Sequence, residues 1–191
     1  MKIFKDRQSA GKLLAKRLKQ MSSDRGTIVL GIPRGGVIVA AEIAKELKLP
    51  LDILVTRKIG HPNQPELAIG AVDADGQVIW EQGNDEEMEE LAEKEVKEIK
   101  RREQIYRQGK KLLTIKGKTV ILVDDGTATG LTVLAATNYL KKHQAKKVIL
   151  AVPVASKEAV KMLSKQTDEL IVLEIPEYFQ AVGQFYYKFE T

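Results

Sequence analysis

The chain has 191 residues, 43% of them hydrophobic and 30% charged, and no cysteine. It therefore reads as a soluble globular domain and excludes a disulfide scaffold, a cysteine nucleophile and any Cys-ligated zinc or iron–sulfur site. Thirty-one Lys and Arg against 26 Asp and Glu leave a formal charge of +5, which favours anionic partners. The only histidines are His61 and His143, neither in an HExxH setting, which argues against a histidine-built metal site. No apolar signal core opens the chain and no run approaches the roughly 20 apolar residues that span a bilayer, so a cytoplasmic protein with no membrane partner is expected.

Residues 6–20 place Ala10, Leu13, Leu14 and Leu18 on one face at helical period, with Asp6 as N-cap. The run Thr27-Ile28-Val29-Leu30 predicts a buried strand ending in Gly31-Ile32-Pro33-Arg34-Gly35-Gly36. A helix over 37–47 and a second strand over 51–55 complete a β-α-β unit. The polar, proline-flanked stretch 61–65 reads as a loop, 68–72 as a strand and Asp73-Ala74-Asp75-Gly76 as a turn. Residues 85–108 are nearly all charged, yet Met88, Ala92, Val96, Ile99 and Tyr106 recur at helical spacing, which predicts one long helix with a narrow apolar stripe. Its acidic first half (Glu86, Glu87, Glu89, Glu90, Glu93) and basic second half (Lys100, Arg101, Arg102, Arg107) match the helix macrodipole. That pattern describes a solvated helix better than a nucleic-acid-binding one.

A strand over 119–123, a helix to about 142, a strand over 148–154, a short helix over 157–164 and a last strand over 169–173 follow. The alternation predicts an α/β fold, an open and mainly parallel β-sheet flanked by helices on both faces. We read it as one domain over 1–191, with the long helix inserted at about 85–108. The segment 175–191 holds most of the aromatic residues and suggests a lid or an interface.

Ligands of such a sheet bind beyond the carboxyl ends of the strands. The residues with chemistry follow strands: Pro33-Arg34-Gly35-Gly36, Thr56-Arg57-Lys58, the loop 124–132 and the segment 153–157. In 120–132 four apolar residues lead to Asp124 and Asp125, then to a small-residue loop carrying Thr127, Thr129, Gly130 and Thr132. Such a loop can curl its N–H groups around a phosphate, with threonine hydroxyls donating and the following helix N-terminus adding a favourable field. The acids repel phosphate. They would accept hydrogen bonds from sugar hydroxyls, or hold a metal ion through those hydroxyls or water. The loop lacks the lysine of a Walker motif, and glycines 31, 35 and 36 do not make GxGxxG. Ribose hydroxyls beside a phosphate point to a ribose 5-phosphate.

The sequence Val120-Ile121-Leu122-Val123-Asp124-Asp125-Gly126-Thr127-Ala128-Thr129-Gly130-Leu131-Thr132 resembles the signature by which type I phosphoribosyltransferases bind phosphoribosyl pyrophosphate (PRPP). It departs at Gly126, where the family commonly has a larger apolar residue. Gly31-Ile32-Pro33-Arg34-Gly35-Gly36 resembles the family's pyrophosphate loop. Two further stretches resemble a subgroup described only as phosphoribosyltransferase: Val55-Thr56-Arg57-Lys58-Ile59-Gly60 through 65–72, and the tail pattern Pro176, Phe179, Val182, Gly183, Phe185 and Tyr186.

The resemblance implies a Rossmann-like, type I phosphoribosyltransferase fold with a small hood at about 175–191, and a homodimer. It implies a Mg²⁺-dependent glycosyltransferase of the pentosyl type, active in nucleotide metabolism. Such an enzyme moves the 5-phosphoribosyl group of PRPP to a nitrogen base, purine or pyrimidine, and releases pyrophosphate. Asp124 and Asp125 would engage the ribose hydroxyls, directly or with Mg²⁺, and Ala128, Thr129, Gly130, Leu131 and Thr132 would hold the 5-phosphate. Arg34 and Gly35 would bind pyrophosphate, with a cis peptide between them. Arg57 and Lys58 would stabilise the charge growing on departing pyrophosphate, the alternative being plain surface charge. Lys157 would donate to an exocyclic oxygen of the base, and Phe185 or Tyr186 would stack on it unless those rings pack the hood's own core. Glu66 is a general-base candidate or a structural loop residue beside Pro65. Two other functions stay open: a PRPP-sensing regulator that binds RNA or DNA, and a hydrolase of PRPP or a related sugar phosphate with water as acceptor.

Overall fold

Three runs of consecutive apolar residues become strands buried on both faces: β1 (Thr27–Gly31), β6 (Thr119–Val123) and β7 (Lys147–Val154). With β2 (Leu51–Ile53) and β8 (Glu169–Glu174) they form a five-stranded sheet, all parallel, in the order β2-β1-β6-β7-β8. The computed structural model describes residues 3–19 and 26–189, leaving out the side chains of Pro65 and Glu66. The helix end expected at Gln20, the general-base role weighed for Glu66 and the last two residues of the tail therefore lie outside the described residues.

Strand alternation sorts the core into two layers. Val29, Ile121, Val123, Ile149 and Ala151 point to α1 (Arg7–Arg17) and α2 (Gly35–Leu47), meeting Leu14, Leu18, Val39 and Ile43. Leu30, Leu122, Val148 and Leu150 point to α4 (Leu131–Lys142) and α5 (Lys157–Leu163), meeting Val133, Leu140, Ala159 and Leu163. Leu13, expected on the buried face of α1, is 44% exposed, because that helix meets the sheet through Ala10, Leu14 and Leu18 about one residue's rotation away.

Asp6 caps α1 as expected: its carboxylate accepts from the Ser9 N–H at 2.7 Å, and the Ser9 hydroxyl reciprocates at the Asp6 N–H. That backbone hydrogen bond holds the Asp6 carboxyl below its ordinary range. Asp6→Ala should cost about 1 kcal/mol of stability. A lowered folded-state pKa places the carboxylate's contribution above the ordinary carboxylate range. The deficit should be full at neutral pH and shrink as pH falls through that range, which urea melts at pH 7 and pH 3 would check.

The stretch read as a loop and one strand is a second sheet. β3 (Arg57–His61), β4 (Gln64–Val72) and β5 (Val78–Trp80) form an antiparallel unit with register shifts around Gly60. Its strands hide from a hydrophobicity reading because β3 opens on Arg57 and Lys58, closes on His61 and carries one fully buried apolar residue, Ile59. One face, with Ile59 and Val72, packs on Ala92 and Ile99 of α3 (Glu86–Arg107). The other, with Ala68 and Ala71, packs on Leu131 and Ala135 at the start of α4. Asp85 caps α3 by accepting from the Met88 N–H at 2.9 Å. The apolar stripe of α3 stops short of Tyr106, which is 39% exposed. There the helix is anchored instead by Arg107, which contacts Asp52 at 3.1 Å and donates to the Ile53 carbonyl at 2.5 Å.

The expected C-terminal hood folds as a 3-10 turn (Val182–Phe185) and an extended end that zips onto the start of the chain. Ile3 and Phe4 N–H groups both donate to the Phe185 carbonyl at 2.9 Å, and Tyr187 returns a bond to the Phe4 carbonyl at 2.9 Å. Among the described residues no helix is long and apolar enough to cross a membrane.

Candidate active site

Strand order turns back between β1 and β6, so the crevice at their carboxyl ends is where this sheet can receive a ligand. The loop leaving β1 and the loop leaving β6 touch there through their backbones. The Ile32 N–H donates to the Val123 carbonyl at 2.9 Å, and a Cβ on Gly36 would lie 2.8 Å from the Asp124 Cα. Only glycine permits this approach. The cis peptide expected between Arg34 and Gly35 falls one bond earlier, at Pro33–Arg34. Arg34 already has helical backbone angles as the residue entering α2, so the bond after it continues as an ordinary helical peptide.

Asp124 and Asp125 stand side by side above this crossing, with the Asp125 N–H donating to Asp124 Oδ1 at 2.8 Å. Burial, together with the neighbouring Asp125 charge, pushes the Asp124 carboxyl well above its ordinary range. Asp125 is held from outside the motif, by Arg7 Nε at 2.7 Å on Oδ2 and by the Tyr186 hydroxyl, which donates to its carbonyl at 2.5 Å. Among the described residues no cluster of three or more His, Asp or Glu side chains could cage a metal ion. Two adjacent carboxylates suit a hard divalent cation that takes its remaining oxygens from a phosphorylated ligand and water.

The rest of the loop is fixed to the end of β7. The Thr127 N–H donates to the Val154 carbonyl at 3.0 Å, the Ser156 N–H to the Thr127 carbonyl at 3.1 Å, and the Ser156 hydroxyl to the Ala128 carbonyl at 2.5 Å. Ser156 also caps α5 by accepting from the Ala159 N–H at 3.0 Å. A serine immediately before a predicted helix is the signal that could have found this clamp. Gly130, in the left-handed region at φ 83°, precedes α4 and has no side chain to cap it. The first helical bond runs from Leu134 to the Gly130 carbonyl at 2.8 Å, so the N–H groups of Thr132 and Val133 precede it and face outward from the helix end. N–H groups left open at a helix start can receive an anion.

A cavity of 340 Å³ opens over this helix start, lined by residues 126–129 and Thr132 of the loop, Lys58 and Ala68 of the small sheet, and Gln180 to Val182 of the tail. The space that a larger residue at 126 would take is filled by Val182 and Val154. Lys58 thus joins the loop. Arg57 does not: adjacent strand residues face opposite ways, and Arg57 sits on the α3 side with its Nε 2.6 Å from Glu95 Oε2. Lys157 lies outside the cavity as well, its Nζ 2.5 Å from Glu177 Oε2 on exposed surface.

Phe185 and Tyr186, considered for stacking on a base, are 2% and 1% exposed. They pack with Phe4, Ala10 and Val154 because the tail turns them toward the chain's first residues, so the hood's own core takes these rings. A cavity of 440 Å³ at the amino-terminal end of β6, bounded by 112–116 and the end of α4, contains none of the expected residues.

Residues 3–190 match the family described as phosphoribosyl transferase domain. The Mycobacterium tuberculosis (strain H37Rv) protein named "Putative phosphoribosyl transferase Rv0571c" is 43% identical over 99% of this chain, which spans 44% of that relative's length. The crystal structure of TT1426 from Thermus thermophilus superposes with a TM-score of 0.82 at 38% identity, covering 99% of this chain and 92% of that one. A hypoxanthine phosphoribosyltransferase from Staphylococcus aureus shares the fold at a TM-score of 0.52 and 14% identity, over 91% and 75% of the two chains.

Proposed function

The chain belongs to the phosphoribosyl transferase family, and from that premise we propose that it transfers the 5-phosphoribosyl group of PRPP to a nitrogen base, purine or pyrimidine, releasing pyrophosphate. One observation carries the reading. A single loop presents two carboxylates and, a few residues on, an uncapped helix N-terminus, while the glycine turn at 35–36 crosses beside the carboxylates. Those are the contacts that ribose hydroxyls, a 5-phosphate and a pyrophosphate require.

In this reading the 5-phosphate takes the N–H groups at the start of α4 and the hydroxyls of Thr129 and Thr132. Asp124 and Asp125 accept from the ribose hydroxyls and fix the sugar ring. The backbone around Arg34 and Gly35 receives the pyrophosphate, and Lys58 faces the shared cavity from β3. As the bond from carbon 1 to the pyrophosphate oxygen lengthens, the sugar gains oxocarbenium character and the leaving group gains charge. A lysine aimed at that charge stabilises the transition state more than the ground state. The nitrogen of the base then bonds to carbon 1. Mg²⁺, held by one or both carboxylates with oxygens of PRPP, would supply further positive charge beside the pyrophosphate.

A second reading, hydrolysis with water as acceptor, is favoured by the absence of an aromatic side chain from the described lining of the 340 Å³ cavity. Calorimetric titration of PRPP with Mg²⁺, followed by pyrophosphate release across a panel of purines and pyrimidines, separates the two. Release that requires one of the bases is expected. Release without any base selects water instead, and no PRPP binding by the folded protein overturns both readings.

A further inference from the structure

Arg7 is the first residue of α1, 118 residues from Asp125 in sequence, and it belongs to no motif in the chain. It is nevertheless among the most buried charged side chains described, 9% exposed, and its partner is the outer member of the acid pair. Its guanidinium carbon lies 3.8 Å over the ring of Phe189, which covers it from the tail side. Below it, the missing Cβ of Gly35 matters. An atom there would fall onto the Asp125 carboxylate and within 2.7 Å of Arg7 Nε, so the ion pair occupies the space that the glycine leaves open.

We infer that Arg7 is a positioning residue for the ribose end of the PRPP site, acting through Asp125; this rests on the reading of the loop given above. Two carboxylates at consecutive positions repel each other and, unrestrained, would swing apart. Arg7 takes Oδ2 of Asp125 and offsets its charge, while Asp124 Oδ1 accepts from the Asp125 N–H and the Tyr186 hydroxyl holds the Asp125 carbonyl. The Asp125 carboxylate is thereby fixed in direction beside Asp124, with Oδ2 committed to Arg7. A near-buried arginine pairs well in this role because its planar fork fixes direction as well as charge.

The test compares two ligands on Arg7→Met, which keeps the bulk of the side chain and loses its charge. Wild type and variant are titrated with PRPP plus Mg²⁺ and, separately, with inorganic pyrophosphate in the absence of Mg²⁺, so that the second ligand cannot reach Asp125 through a metal ion. Arg7→Met should bind PRPP at least tenfold more weakly and pyrophosphate within twofold of wild type, because pyrophosphate carries no ribose for Asp125 to read. Equal losses for both ligands would show a prop for the whole crevice, and unchanged PRPP binding would show a surface staple; either overturns the inference. Failure of the wild type to bind PRPP strikes the proposed function instead. Should Arg7→Met not fold, Arg7→Lys carries the same comparison, since it retains the charge but not the fork that sets the carboxylate's direction.

Discussion

Asparagine at both Asp124 and Asp125 should abolish measurable Mg²⁺-dependent PRPP binding while leaving the fold intact. The substitution preserves volume and hydrogen-bonding atoms, so what it removes is charge. A hydrogen bond to a charged acceptor contributes about 1.5–3 kcal/mol against about 0.5–1.5 for a neutral one, so removing both charges costs about 2–3 kcal/mol, or roughly 10² in affinity, before the metal's ligands are counted. The site also loses its hard ligands for a divalent cation. Stability should change little, because the variant relieves the crowding of the two acids while the asparagine oxygen at 125 can still accept from Arg7. Calorimetry with PRPP and a thermal melt on the same sample decide it. A double variant that binds PRPP like wild type would remove the acids from the site, and one that fails to melt cooperatively would show that the pair is structural.

The second large effect concerns neighbours in sequence. Lys58→Met should lower kcat for pyrophosphate release by about 10²–10³ with a modest change in KM, as expected for a group that acts chiefly on transition-state charge. Arg57→Met should leave kcat within about threefold. Its guanidinium is spent on Glu95 across the opposite face of β3, and a pair that is 30% and 23% exposed contributes at most about 1 kcal/mol to the attachment of α3. Steady-state kinetics on the two variants, with a denaturant melt of each, check the split. Equal losses of kcat would mean that β3 turns over, or that α3 releases Arg57, during the reaction.

Those two residues also mark where a sequence can and cannot be read. The parallel sheet was legible because its central strands are buried on both faces and therefore appear as unbroken apolar runs, and 120–132 carries its chemistry on consecutive residues. The adjacent pair Arg57 and Lys58 reads as one basic patch as long as the segment is taken for a loop. Only the strand, which hydrophobicity hides because its faces are covered by small residues and a charged helix, sends them to opposite sides. Phe185 and Tyr186 could be read as stacking on a ligand or as packing a core, because the sequence shows no partner for them; the partner is Phe4, about 180 residues away in the chain. Arg7 and Ser156 support the site without touching it in sequence. Ser156 carries a capping signal, but nothing local to Arg7 announces Asp125.

The zipper between residues 3–5 and 185–188 also sets an order of events during synthesis. A ribosome delivers Arg7 first and the acid loop much later, and the loop can dock on β7 once residues near 156 have emerged. Tyr186 and Phe189, which hold Asp125 and cover Arg7, come last. A nascent chain can therefore complete its hydrophobic layers and the attachment of the 126–130 loop to β7 while Asp125 is still unsecured. Until the segment around 186–189 docks, Asp125 lacks its hold and Arg7 its cover, so a cut between β8 and that segment would leave the parallel sheet assembled and the acid pair unsecured.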